Sequence, residues 1–103
     1  MNQTEKVNDV VELVIDETYS DESAIKAIEE FKESLQCSEP PQRVQVNLKN
    51  MLKTNSEFVA QLIILSQVVN ARDAELSITA NRLLKRVFDI VMLEKIITVI
   101  YSD

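Results

Sequence analysis

The chain contains no glycine, no histidine and no tryptophan, and a single cysteine. Without glycine, no glycine-built phosphate cradle can form, so neither a P-loop nor a dinucleotide-binding fingerprint is available. Without histidine, the commonest general base and metal ligand is missing. Cys37 cannot form an internal disulfide, which fits a reducing compartment, and no imidazole stands ready to activate its thiol. It is expected to pack at a helix end. Long apolar runs are also missing. None exceeds the length of Leu62-Ile63-Ile64-Leu65, far below the roughly 20 residues of a membrane-spanning helix. Met1–Asn8 is polar and lacks the apolar stretch of a secretory leader. A soluble, cytoplasmic protein is the expectation.

Positive charge is in deficit: Asp and Glu number 17 against 11 Lys and Arg, a net charge of −6. Such a chain is repelled by phosphate backbones and anionic bilayers, and no basic stripe offsets the repulsion. Neither nucleic acid nor membrane insertion is expected. The densest acidic pairs, Asp21-Glu22 and Glu29-Glu30, lack a positioned partner of another kind. They read as acids at a helix N-terminus and on a solvated face, not as a metal or acid/base site. No catalytic residue, metal ligand or cofactor site is assigned, and a non-enzymatic protein is expected.

What is present is one domain's worth of chain, 103 residues, 46% of them hydrophobic. Two segments alternate with period 2 and read as strands. In Val44-Gln45-Val46-Asn47-Leu48 the aliphatic residues face one way. In Glu75-Leu76-Ser77-Ile78-Thr79, Leu76 and Ile78 do. Val10–Ile15 is β-rich, Ile97–Ile100 reads as a short last strand, and Asn8-Asp9 suits a tight turn after a short strand around Thr4–Val7. Between them lie three helical patterns. The first covers Glu22–Gln36, capped by Ser20 or Asp21 and stopped by Cys37-Ser38-Glu39-Pro40-Pro41. The second covers Ser56–Ala71, capped by Asn55 or Thr54. The third runs from Asn81 to Ile90, with Leu83, Leu84, Val87 and Val91 inward. This alternation implies an α/β fold with a mixed, mostly parallel sheet of four to five strands. Strands that keep one polar face imply helices packed mainly on the other.

The second helix is the unusual one. Phe58, Leu62, Leu65 and Val69 form its core stripe, yet Val59, Ala60, Ile63, Ile64 and Val68 make the rest apolar too. Flanking helices are as good an account of Val59 and Ile63 as a binding role. Ala60, Ile64 and Val68, spaced i, i+4, i+8, form a second narrow seam that reads as a partner surface. The loop Lys49–Glu57 leaves the C-terminal end of a strand and enters this helix, the end where ligands and regulation concentrate in open α/β sheets. A phosphate on Ser56 would meet helix N–H groups, with Lys53 or Lys49 near; plain capping by Asn55 and Ser56 is the simpler reading.

These residues resemble a STAS domain, the family of anti-sigma factor antagonists and of sulfate-transporter tails. The resemblance spans Val7 to Tyr101. It rests on Val44-Gln45-Val46-Asn47-Leu48-Lys49-Asn50, similar to the family's strand and following turn, and on Thr54-Asn55-Ser56-Glu57-Phe58-Val59-Ala60, at the place of its switch motif. The third stretch is Asn81–Ile90 followed by Leu93-Glu94-Lys95-Ile96-Ile97, similar to its closing helix. The resemblance implies a bacterial partner-switching module that binds a serine-kinase anti-sigma factor and is switched by phosphorylation at the start of the second helix. The usual acceptor position aligns with Glu57; Ser56 or Thr54 are the hydroxyls at hand. Lys53, Asn55, Ser56 and Glu57 would form the switch edge, and Ala60, Ile64 and Val68 the docking seam. Alternative roles are an accessory subunit of a lipid-transport ATP-binding-cassette complex and a homodimeric scaffold.

Overall fold

The computed structural model describes residues 10–37 and 42–102. The elements run β1 (Val10–Val14), α1 (Asp21–Cys37), β2 (Arg43–Asn47), α2 (Ser56–Ala71), β3 (Glu75–Ala80), α3 (Arg82–Ile90), a 3-10 turn (Leu93–Lys95) and β4 (Thr98–Tyr101). All three expected helices and four strands form, within a residue or two of the bounds their patterns imply. The expected hairpin around Thr4–Asp9 and the stop at Ser38–Pro41 lie outside the described residues.

The described sheet is parallel throughout, in the order β1-β2-β3-β4. Each crossover therefore steps the same way, and right-handed connections then place α1, α2 and α3 side by side on one face. The burial pattern agrees. Val44, Val46, Leu76, Ile78 and Ala80 point into one core with Ile28 of α1, Phe58 and Leu65 of α2 and Phe88 of α3. The intervening Gln45, Asn47, Ser77 and Thr79 are only half-buried, and none of the described helices covers that face. Fully burying one such Phe, Leu or Ile contributes about 1.5–3 kcal/mol.

Two expectations about side-chain direction are corrected. Leu83 is 63% exposed and Val91 is exposed as well, whereas Leu84 and Phe88 are buried. The apolar arc of α3 is wider than its contact with the sheet, so Leu83 and Ile90 are left on its open flank. Cys37 is likewise exposed, not packed: the core stripe of α1 ends at Leu35.

Lack of glycine has a structural consequence. Left-handed backbone is taken instead by Asp73 (φ 62°) and Met92 (φ 57°). Asp tolerates that region; an unbranched apolar residue there costs about 1–2 kcal/mol. Met92 closes the turn after α3, donating its N–H to the Asp89 carbonyl, and its side chain is largely in solvent. Met92→Gly relieves the strain but loses more entropy on folding, so a net stabilisation of about 0.5–1 kcal/mol is expected, read as a higher urea midpoint at unchanged slope.

The edge strand β4 is tied down by a polar cluster. The Tyr101 hydroxyl donates to Glu94 Oε2 at 2.9 Å, Lys85 Nζ lies 5.0 Å from the Tyr101 ring centroid, and Lys85 pairs with Asp89 at 3.2 Å. Burial first, then the Glu94 carboxylate, pushes the Tyr101 phenol above its ordinary value. A raised folded pKa gives stability that is intact below the unfolded value near 10 and lost as pH climbs through the folded one. Wild type is therefore expected to lose stability above about pH 10 more steeply than Tyr101→Phe in parallel denaturation series.

Candidate functional site

The C-terminal ends of the parallel strands carry the loops the sequence singles out. After β2, Leu48 and Met51 are buried and anchor the loop. Leu48 N–H donates to the Thr79 carbonyl at 2.7 Å, and Lys49 N–H donates to Asn47 Oδ1 at 3.0 Å. Asn81, on the neighbouring strand's exit, completes the arrangement. Its Nδ2 donates to the carbonyls of Lys49 and Met51, both at 2.8 Å, while its Oδ1 accepts from the N–H groups of Leu83 and Leu84 at the start of α3. One side chain thus caps a helix and clasps the loop 30 residues upstream.

Asn55 has the capping role expected of it. Its backbone is extended, and its Oδ1 accepts from Phe58 N–H at 2.8 Å. Its side chain is therefore turned into the helix rather than toward a partner. The Thr54 hydroxyl is buried and makes no hydrogen bond, a poor posture for modification. Ser56 and Glu57 are exposed in the first turn of α2, and Lys53 is exposed just before it. A small hollow of about 160 Å³ lies beside Lys53, lined by Leu52 and Met51 on one side and by Asp16, Glu17 and Asp21 on the other. The Asp16 carboxylate is held below its usual range by hydrogen bonds from the Thr18 hydroxyl (2.6 Å) and N–H (3.0 Å). The Asp16 carboxylate therefore stays anionic at neutral pH.

Along α2 the structure separates the two apolar sets. Val59 is 3% exposed and Ile63 packs against the core, so the fold accounts for both. Ala60 and Ile64 are exposed, Ile64 by 38%, and Val68 is half-buried beside them. Glu57, Ala60, Ile64 and Val68 make one stripe. It runs down from the switch edge into a shallow depression of about 490 Å³ formed with Gln36, Gln67, Ala71 and Arg72. Arg72, one of the lining residues, donates from its guanidinium to the carbonyls of Leu35 at 3.0 Å and Gln36 at 3.1 Å and so caps α1. Ser56 and Glu57, in the first turn of α2, sit at the upper end of this stripe, whereas Lys53 lines the separate hollow before the helix and Asn55 turns its side chain into the cap.

Among the described residues no group of three or more Cys, Asp or Glu is placed to hold a metal ion, and no helix is long and apolar enough to cross a membrane. Asn81 stands outside the expected site: an asparagine before an apolar-periodic segment is a cap signal, but nothing local to it signals the clasp. No family model, curated protein or solved structure matches the chain.

Proposed function

We propose that the chain is a non-catalytic protein-interaction module that docks a partner on the outer stripe of α2. The observation that carries the reading is the exposed Ile64, set between Ala60 and Val68 on a helix that is apolar nearly all round. An aliphatic side chain open to solvent beside a shallow depression is the anatomy of a binding hot spot. The resemblance to STAS domains adds a partner class, a serine-kinase anti-sigma factor or related regulator in the cytoplasm of a bacterium, acting through partner switching. Glu57 supplies a permanent negative charge at the switch position, and Ser56, exposed next to it, is the hydroxyl a kinase would reach before Thr54.

Capture from the native host's lysate, with wild type and Ile64→Asp as parallel baits, tests this. A serine kinase retained by wild type alone, with phosphate on Ser56 in the bait spectrum, supports the reading. A lipid-transport ATPase on the same stripe replaces the signalling role with the transport one. Equal capture by both baits removes the stripe from the interface.

A further inference from the structure

The face of the sheet that no described helix covers holds a hollow of about 400 Å³. Its polar lining comes from two neighbouring strands. Arg43 stands opposite Glu75 in the β2–β3 register, and Gln45 stands opposite Ser77. These four alternate with the buried Val44 and Leu76, so all project from the open face. Opposite charges at one register position ordinarily pair. Yet among the described residues no ion pair or hydrogen bond engages the side chain of Arg43 or Glu75. The side toward β4 is aliphatic: Ile96 and Ile100 are 49% and 55% exposed, outside the core. A backbone donor completes the lining. β3 starts two residues before β4, so Glu75 and Leu76 have no strand beside them there. Ser102 N–H donates to the Ala80 carbonyl, so Ala80, Ile78 and Leu76 turn their backbone groups toward β4. Among the described residues no backbone carbonyl on that side accepts from Leu76 N–H.

We propose that this hollow binds a free α-amino acid with an aliphatic side chain. Each part of such a ligand has a counterpart in the lining. The carboxylate takes the Arg43 guanidinium and the unused Leu76 N–H. The ammonium takes the Glu75 carboxylate, with the Gln45 and Ser77 oxygens as further acceptors. An α-amino acid carries both charges on one carbon, which suits partners projecting from adjacent strands about 4.8 Å apart. Its side chain then lies toward β4 and takes the aliphatic surface of Ile96 and Ile100 out of water. A ligand of single charge would leave Arg43 or Glu75 facing nothing or facing its own sign, which selects against phosphate esters and simple cations. A zwitterion also has no net charge for a chain of −6 to repel. Placed polar groups beside an apolar wall, in a hollow of this size, are the usual anatomy of a small-molecule site. The site lies on the far side of the sheet from the outer stripe of α2. It goes beyond the docking role and does not depend on it.

The test is a titration of the full chain with L-leucine, followed by amide chemical shifts. Saturable shifts should centre on Gln45, Leu76, Ser77 and Thr98, with a Kd of about 1 mM or tighter. N-acetyl-L-leucine lacks the ammonium and L-leucinamide lacks the carboxylate. Each should bind about tenfold more weakly or worse, because each forfeits one charge-assisted contact. Two variants at exposed positions assign the two ends, with circular dichroism as the check of fold. Arg43→Gln should weaken L-leucine about tenfold yet leave L-leucinamide no weaker, and Glu75→Gln should weaken L-leucine similarly yet leave N-acetyl-L-leucine no weaker. No saturable shift at about 10 mM L-leucine, shifts centred elsewhere, or equal binding of the three ligands overturns the proposal. So does a variant that weakens all three ligands alike, since that loss is structural. Ile64→Asp should bind L-leucine as wild type does, so failure of the docking role and failure of this site are read separately.

Discussion

Replacing Asn81 by alanine is expected to destabilise the protein by about 2–3 kcal/mol, the sum of a lost helix cap and of two carbonyls left without their donor. Both roles are visible. Oδ1 accepts from Leu83 and Leu84 N–H, and Nδ2 donates to Lys49 and Met51 carbonyls. Asn81→Asp separates them. The aspartate keeps a good N-cap acceptor, so a residue that is only a cap would lose little. Here, however, a carboxylate would face two carbonyl oxygens, and repulsion replaces attraction. Asn81→Asp is therefore expected to be at least as destabilising as Asn81→Ala. Urea denaturation of the three proteins decides it, with an aspartate variant as stable as wild type showing that the clasp contributes nothing. The loop it holds is the one that delivers Lys53 and Ser56 to the start of α2, so its release is also expected to speed amide exchange across Lys49–Lys53 more than elsewhere.

Asn81 marks the limit of what periodicity can say. The strands β2 and β3 are legible because their alternation is period 2 with one polar face, and that same alternation announces a sheet covered on one side. α2 is legible to the residue because Asn55 precedes an unbroken apolar-rich segment with no glycine or proline. The clasp joins Asn81 to backbone carbonyls 30 and 32 residues away, and a backbone acceptor leaves no trace in residue type. The inward set of α3 fails for a different reason. Its apolar arc is continuous from Ile90 and Leu83 through Val87 to Leu84 and Phe88, so spacing does not say where the sheet contact ends. The structure places that limit between Val87, which packs on the core, and Leu83, which does not. The candidate site is legible in the same partial way. Apolar residues all round α2 show that something unusual is buried or bound there, but only burial divides Val59 and Ile63 from Ala60 and Ile64.

Ile64→Asp and Val59→Asp should give opposite phenotypes although they lie on one helix and place the same carboxylate there. At Val59, 3% exposed, that carboxylate would be driven into the core without a cation to meet it. A buried unpaired charge costs several kcal/mol, comparable to the whole stability of a domain this size. Val59→Asp is expected to unfold the chain or leave it with a grossly lowered melting temperature. At Ile64, 38% exposed, the carboxylate can reach water. The loss is confined to partial burial of the aliphatic chain and a lower helix propensity, together about 1–1.5 kcal/mol. The fold should survive with an unchanged far-ultraviolet spectrum. Binding is another matter. A central interface residue that must be desolvated contributes about 2 kcal/mol or more on truncation, and a charge placed there adds its own desolvation cost, so affinity for a protein docked on α2 should fall by roughly 30-fold at least. Glu57, on the same stripe, sharpens the effect by adding like charge near the same docked surface. Titration calorimetry with the captured partner measures that loss: unchanged affinity in a folded Ile64→Asp protein would move the binding surface off α2 altogether.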